Sequence, residues 1–300
     1  MTFYCCLEIL KVKLKIISED FDLSYFFENS AVPGVFLPEY KFIKSENKFD
    51  LIFEITKSST KEIKVIGKSI YIYDTWNNEV PTYFLRLIYS FLNSYLLKKG
   101  IYSIHSSCVS DNDKVIILAG FAKDGKTTLA LKFINNSDRY KLVANNKTFL
   151  KLGKNCVVLS GTKSLSIRDK ETEIRKGLSV TKQDSRYGRI FILFDNSHID
   201  THTECKKVYF FSIRVNNGVE IFQKLSKEES LIYLYPRVMD LVDFDTLMFD
   251  FNCPTNIEFP TFKERVKIVK NLNQFIKDND IYYISGSFNY IYDKINELIK

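Results

Sequence analysis

Between Gly120 and Thr128 the chain reads Gly120-Phe121-Ala122-Lys123-Asp124-Gly125-Lys126-Thr127-Thr128, which fits GxxxxGK[ST], the phosphate-cradling P-loop. Each residue type has a reason to be there. Gly120 and Gly125 accept backbone conformations that a Cβ would oppose, so successive N–H groups can turn inward toward phosphate oxygens. A helix opening near Lys126 brings its positive end to the same place. Lys126 would reach the β- and γ-phosphates as a point charge, and the Thr127 hydroxyl would sit on Mg²⁺. Asp124 puts a negative charge close to those phosphates.

The surroundings suit the motif. Lys114 to Ala119 is a short apolar run rich in β-branched residues, and Leu129, Ala130, Phe133 and Ile134 recur at helical spacing. Strand, turn and helix follow one another as a P-loop requires. Upstream, Ile101 to Ser110 reads as one strand that carries His105 and pairs by a hairpin at residues 111–113 with the strand before the loop. Downstream, Tyr140 to Ala144 is a strand ending in the polar pair Asn145-Asn146, and strand ends of an α/β sheet tend to carry ligands. Lys147 to Leu152 and Cys156 to Leu159 add strands to the same mixed sheet.

This order of elements resembles the HPr serine kinase/phosphorylase family and, more widely, phosphoenolpyruvate carboxykinase. The likeness covers roughly residues 101 to 160. It implies an α/β fold: a P-loop-containing mixed sheet of that type, with a β-rich N-terminal layer and C-terminal helices. Gly120, Gly125, Lys126 and Thr127 match the family's P-loop, and His105 matches a histidine that assists proton handling. The family carries an Asp-Asp pair, as general base and Mg²⁺ aid, where this chain has Asn145 and Asn146. An amide cannot take a proton from a hydroxyl and is a poorer Mg²⁺ ligand than a carboxylate. The bifunctional members also have a Glu where Thr128 stands. The resemblance implies ATP and Mg²⁺ as cofactors and a Ser/Thr hydroxyl of a protein or peptide as acceptor. The Asn pair supports a nucleotide-sensing pseudokinase as the alternative, and a small-molecule kinase is a weaker third reading.

Other stretches could also carry chemistry. Ile190 to Asp195 is an apolar strand ending in a carboxylate, so Asp195 is an auxiliary candidate for the metal side. Seven basic residues between Arg168 and Arg189 suit a mobile loop closing over an anionic group, or simply a solvated connection. His198, His202 and Cys205 invite a metal reading, but the polar residues among them favour a hairpin loop leading to the strand Lys207 to Val215.

Composition bounds the rest. The 300 residues carry a net charge of +7, with 43 basic and 36 acidic side chains, and this spread excess does not suggest a DNA-binding surface. Six scattered cysteines form no CxxC pair, as expected of reduced, buried thiols. No run approaches the roughly 20 apolar residues of a membrane helix, and a cytoplasmic location is the default. A homo-oligomer is left open.

Two regions are expected, 1–79 as a β-rich layer and 80–300 as the P-loop domain. In the first, the alternation after Thr2 reads as a strand to Ile17, and Phe49 to Thr56, Glu62 to Ile66 and Ser69 to Tyr73 as three more. A polar turn surrounds Trp76. A helix from Pro81 ends at Gly100. Capping boxes at Ser226 and Thr261 open two more helices, the first expected to stop or kink at Pro236 and the second to show Phe262, Val266, Val269 and Phe275 on one stripe. A short strand from Ile281 and a last helix from Ser287 close the chain.

Overall fold

The structure is a computed structural model of the chain that describes residues 2–19, 22–44, 48–75, 82–111, 114–152, 156–168, 180–186, 189–194, 200, 207–243 and 261–300. The first sheet begins with β1 (Phe3–Ile9) and β2 (Val12–Ser18), antiparallel partners. The apolar N-terminus is therefore two strands and not one. The chain reverses at Leu10 and Lys11, whose φ values of 50° and 64° are left-handed, without the Asn or Gly that usually marks such a turn. Burial explains why the turn holds: Leu7, Ile9, Val12, Leu14 and Ile16 all lie inside.

Three elements follow that the sequence pattern did not announce: α1 (Leu23–Asn29), capped by Asp22, then α2 (Pro33–Phe36) and β3 (Tyr40–Phe42). Next come β4 (Leu51–Lys57), β5 (Glu62–Ile66) and β6 (Ser69–Asp74), close to expectation, in a six-stranded sheet of order β3-β1-β2-β4-β6-β5. The helix α3 (Thr82–Lys98) lays Phe84, Leu85, Ile88, Tyr89 and Leu92 into one core with Leu14, Phe53, Ile70 and Ile72. Gly100, at φ 76°, ends it.

The stretch Ile101 to Ser110 divides. β7 (Ile101–Ile104) joins β11 (Thr148–Lys151) and β12 (Val157–Gly161) in a separate three-stranded sheet. After His105, β8 (Ser106–Asp111) enters the central sheet beside β9 (Lys114–Ala119) and β10 (Lys141–Ala144). His105 thus sits where the chain passes from one sheet to the other, and β11 and β12 are not in the sheet that carries the loop. The central sheet runs β10-β8-β9-β16-β18-β17, completed by β16 (Lys207–Val215), β17 (Ile221–Lys224) and β18 (Ile281–Gly286). β9, β16 and β18 are parallel to one another.

Both faces of this sheet are covered, which is why β9 is apolar from Val115 to Ala119. Ile116 and Leu118 pack toward α4 (Lys126–Asn136) and α7 (Phe288–Ile299), against Leu129, Phe133, Ile291 and Ile295. Val115, Ile117 and Ala119 point the other way, toward α5 (Lys227–Asp243) and α6 (Phe262–Asp278), meeting Leu234, Leu272 and Phe275. The protein is mixed α/β, with seven helices among the described residues.

Three expectations need correction here. β15 (Arg189–Phe194) is the middle strand of a small antiparallel sheet with β13 (Ser164–Arg168) and β14 (Val180–Arg186). The parallel neighbour of β9 is instead β16, so β15 does not take the place of a metal-side strand, nor does it form a hairpin with β16. Of the stop or kink expected at Pro236, the stop does not occur: α5 runs through it, and just past it the Arg237 side chain donates to the Tyr233 carbonyl. In α6, both capping-box bonds are present, but the buried stripe is Ile268, Leu272, Phe275 and Ile276. Phe262 and Val266 are exposed, because only the C-terminal half of the helix reaches the core.

Among the described residues no helix is long and apolar enough to cross a membrane. Cys5, Cys6, Cys108 and Cys156 are buried thiols outside any disulfide.

Candidate functional site

The loop from Gly120 to Gly125 leaves the carboxyl end of β9 and folds against the end of β16. Gly125, the N-cap of α4, has φ 83°, and a Cβ built on it would lie 2.5 Å from Val215 Cγ2. A Cβ on Gly120 would meet the Ile213 carbonyl at 2.7 Å. Glycine is required at both ends, at one for conformation and at the other for space. Lys123 carries a second left-handed residue, at φ 72°.

The side chains in this loop divide the charge. Lys126 is buried, and its Nζ donates to the carbonyls of Gly120 at 3.0 Å and Phe121 at 2.7 Å. Burial pushes its pKa down to about 8, with Asp124 opposing and Arg237 adding to the fall. Asp124 braces the loop: its carboxylate accepts the Phe121 N–H, and its carbonyl accepts Val215 N–H at 3.3 Å. Phe121 projects its ring into solvent at 74% exposure. Gly125 gives α4 no side-chain cap, so the first-turn amides of the helix keep their donor capacity for an external acceptor.

Next to the helix start lies a polar group built on Asn145. Thr127 Oγ1 and Ser107 Oγ both donate to Asn145 Oδ1, at 2.8 and 2.9 Å, and Asn145 Nδ2 donates to the Ser164 carbonyl at 3.4 Å. Backbone bonds fix the residue: its N–H donates to the Thr162 carbonyl at 2.6 Å, and its carbonyl accepts the Thr162 hydroxyl. The Asn145-Asn146 pair is not equivalent. Asn146, at φ 73°, turns aside and donates to the Val35 carbonyl of α2 at 3.2 Å. Only Asn145 faces the loop.

His105 is partly buried near three cations. Burial is the main force that lowers its pKa to about 4, with Lys126, Lys147 and Arg237 each adding to it. The imidazole is therefore neutral at pH 7 and a weak base. Since the unfolded value near 6.5 lies above the folded one, the unfolded chain binds more protons between these values. His105's contribution to stability is complete above pH 6.5 and is lost as pH falls toward 4. The loss is on the order of 3 kcal/mol. Replacing His105 by Gln should flatten the stability profile between pH 6.5 and 4, as measured by urea unfolding at fixed pH.

The structure brings together His105, Gly120, Phe121, Ala122, Lys123, Asp124, Gly125, Lys126, Thr127, Thr128 and Asn145. Asp195, His198, His202 and Cys205 lie outside the described residues, as do 169–179 and 187–188 of the basic stretch. Its residues 180–186 form strand β14, so that part of the stretch is not a loop. Four residues went unnoticed in the sequence: Ser107, Lys147, Ser212 and Arg237. Ser107 lies two residues from His105 and Lys147 directly follows Asn146; Ser212 and Arg237 gave no local signal.

Among the described residues no group of three or more His, Cys, Asp or Glu side chains could hold a metal. Thr127 Oγ1 and Asn145 Oδ1 offer two neutral oxygens, which suit Mg²⁺ only together with phosphate oxygens that supply the charge.

No protein-family model matches the sequence, and no curated protein matches it. The likeness to the HPr kinases therefore rests on the residues quoted for it.

Proposed function

We propose that this chain binds ATP with Mg²⁺ through a P-loop at Gly120–Thr127 and is a kinase related to the HPr serine kinases, with a Ser/Thr hydroxyl of a protein or peptide as acceptor. The observation that carries the reading is Lys126. Its ammonium is buried at the mouth of a glycine-bounded loop and rests on two carbonyls of that loop. Phosphate oxygens are stronger acceptors for it than those neutral carbonyls. In this reading the loop amides and the first turn of α4 hold the β- and γ-phosphates. Thr127 and Asn145 would hold the metal, whose charge would offset that of the phosphates. His105, neutral at pH 7, orients the acceptor hydroxyl and takes its proton late, since phosphoryl transfer asks for little base assistance.

A second reading has its own observation. Asn145 Oδ1 accepts both Thr127 and Ser107, occupying with a neutral amide the place where the related kinases have an acid. That favours a nucleotide sensor in which the terminal phosphoryl group is not transferred.

The two readings part on Asn145→Asp. A carboxylate there would keep both hydroxyl donors, add an anionic Mg²⁺ ligand and lose only the long bond to the Ser164 carbonyl. Transfer from [γ-³²P]ATP to proteins encoded beside the gene should rise at least about tenfold over wild type and become strongly Mg²⁺-dependent. Undetectable transfer by wild type and variant, with ATP still bound by both, would decide for the sensor.

A further inference from the structure

Arg237 has no part in the reading above, and it comes from α5, remote in sequence from the loop. Its guanidinium carbon lies 5.2 Å from the Phe121 ring centroid and 5.3 Å from that of Tyr233. Nη2 donates to Ser212 Oγ at 3.4 Å and Nη1 to the Tyr233 carbonyl at 3.5 Å. Ser212 on β16 is in register with Ala119, the last residue of β9. This puts the guanidinium over the carboxyl ends of two parallel strands, where α/β sheets bind ligands. Lys126 rests on the carbonyl of Phe121 while Arg237 rests on its ring, so both cations border one loop residue. Among the contacts Arg237 makes there are long bonds to neutral oxygens and a stack on an exposed ring. A guanidinium can exchange such contacts for charge-assisted, bidentate bonds to a phosphoryl group.

We propose that Arg237 moves from the Phe121 ring onto the terminal phosphoryl group of a nucleoside triphosphate held in the Gly120–Thr127 loop, so that the protein distinguishes triphosphate from diphosphate through α5. The inference rests on the nucleotide reading and adds to it the residue that recognises the third phosphate. Burial is the main cause of the lowered pKa of Lys126, and Arg237 adds to it. Lys126 would touch both terminal phosphates of ATP and so serve ADP as well. Arg237 would serve ATP alone.

The test is calorimetric titration of ATP and of ADP into the full chain, for wild type, Arg237→Ala and Arg237→Lys. Wild type should prefer ATP by at least about tenfold. Arg237→Ala should weaken ATP about thirtyfold and ADP less than threefold, removing the preference. Arg237→Lys keeps the charge and the aliphatic stem, so it should stay folded and show an intermediate ratio. Equal losses for both nucleotides would make Arg237 a structural tie between α5 and β16 and overturn the proposal. No loss for either would assign Arg237 to another ligand, with the same result. Wild type binding neither nucleotide would instead remove the nucleotide reading on which the proposal stands.

Discussion

Lys126→Ala is expected to weaken ATP binding by about two orders of magnitude, since it deletes charge-assisted bonds to two phosphates together worth about 3 kcal/mol. The side chain is buried and its hydrogen bonds go to loop carbonyls, so the variant should still fold, and circular dichroism with a thermal melt would show it. The wild type carries a second mark of the same residue. Free Lys126 has a pKa of about 8. A bound phosphate favours the ammonium, so the bound-state value must be higher. Above pH 8, binding then takes up a proton, and affinity falls by up to about tenfold per pH unit until the bound-state pKa is reached. Lys126→Ala should lose that slope. A variant that keeps wild-type affinity and slope would show that this ammonium does not meet the nucleotide.

The second large effect is structural. A Cβ built on Gly161 lies 2.0 Å from Ala144 Cβ and 2.7 Å from the Lys147 carbonyl. Neither obstacle is the end of a flexible side chain, so Gly161→Ala must push β12 away from the 144–147 turn. That turn is held from the β12 side by Asn145 N–H to the Thr162 carbonyl and by Thr162 N–H to the Lys147 carbonyl at 3.0 Å. Overpacking together with the loss of these bonds should cost about 3 kcal/mol or more, read as a lower urea midpoint at unchanged slope. Because Asn145 would shift with the turn, Thr127 and Ser107 should lose their shared acceptor, and nucleotide affinity should fall as well. Gly67→Ala is the control: φ is 60° there but nothing lies within 4 Å, so only about 1 kcal/mol of conformational cost applies. Equal, small losses for the two variants would contradict the packing argument.

The loop was legible because everything that defines it lies within about twenty consecutive residues: an apolar strand, two glycines and a helix whose buried side is Leu129, Ala130, Phe133 and Ile134. The capping box at Thr261 was legible for the same reason. His105 was recognised as a candidate but misplaced. A change of sheet needs no glycine or proline, and Ile101 to Ser110 is extended on both sides of the change. The hairpin at Leu10 and Lys11 was hidden likewise, since burial of the flanking strands, not turn chemistry, holds it. Asn146 looked like Asn145's equal until its side chain proved to be turned toward α2. Arg237 could not be found from sequence, because only the packing of α5 against the carboxyl ends of β9 and β16 brings it within reach of Phe121.

The most direct test is a calorimetric titration of Mg²⁺-ATP into wild-type protein at pH 7. A phosphate-holding loop predicts saturable binding at one site per chain, with an affinity in the micromolar range. The absence of saturable binding in a sample whose melt shows a folded chain would contradict it.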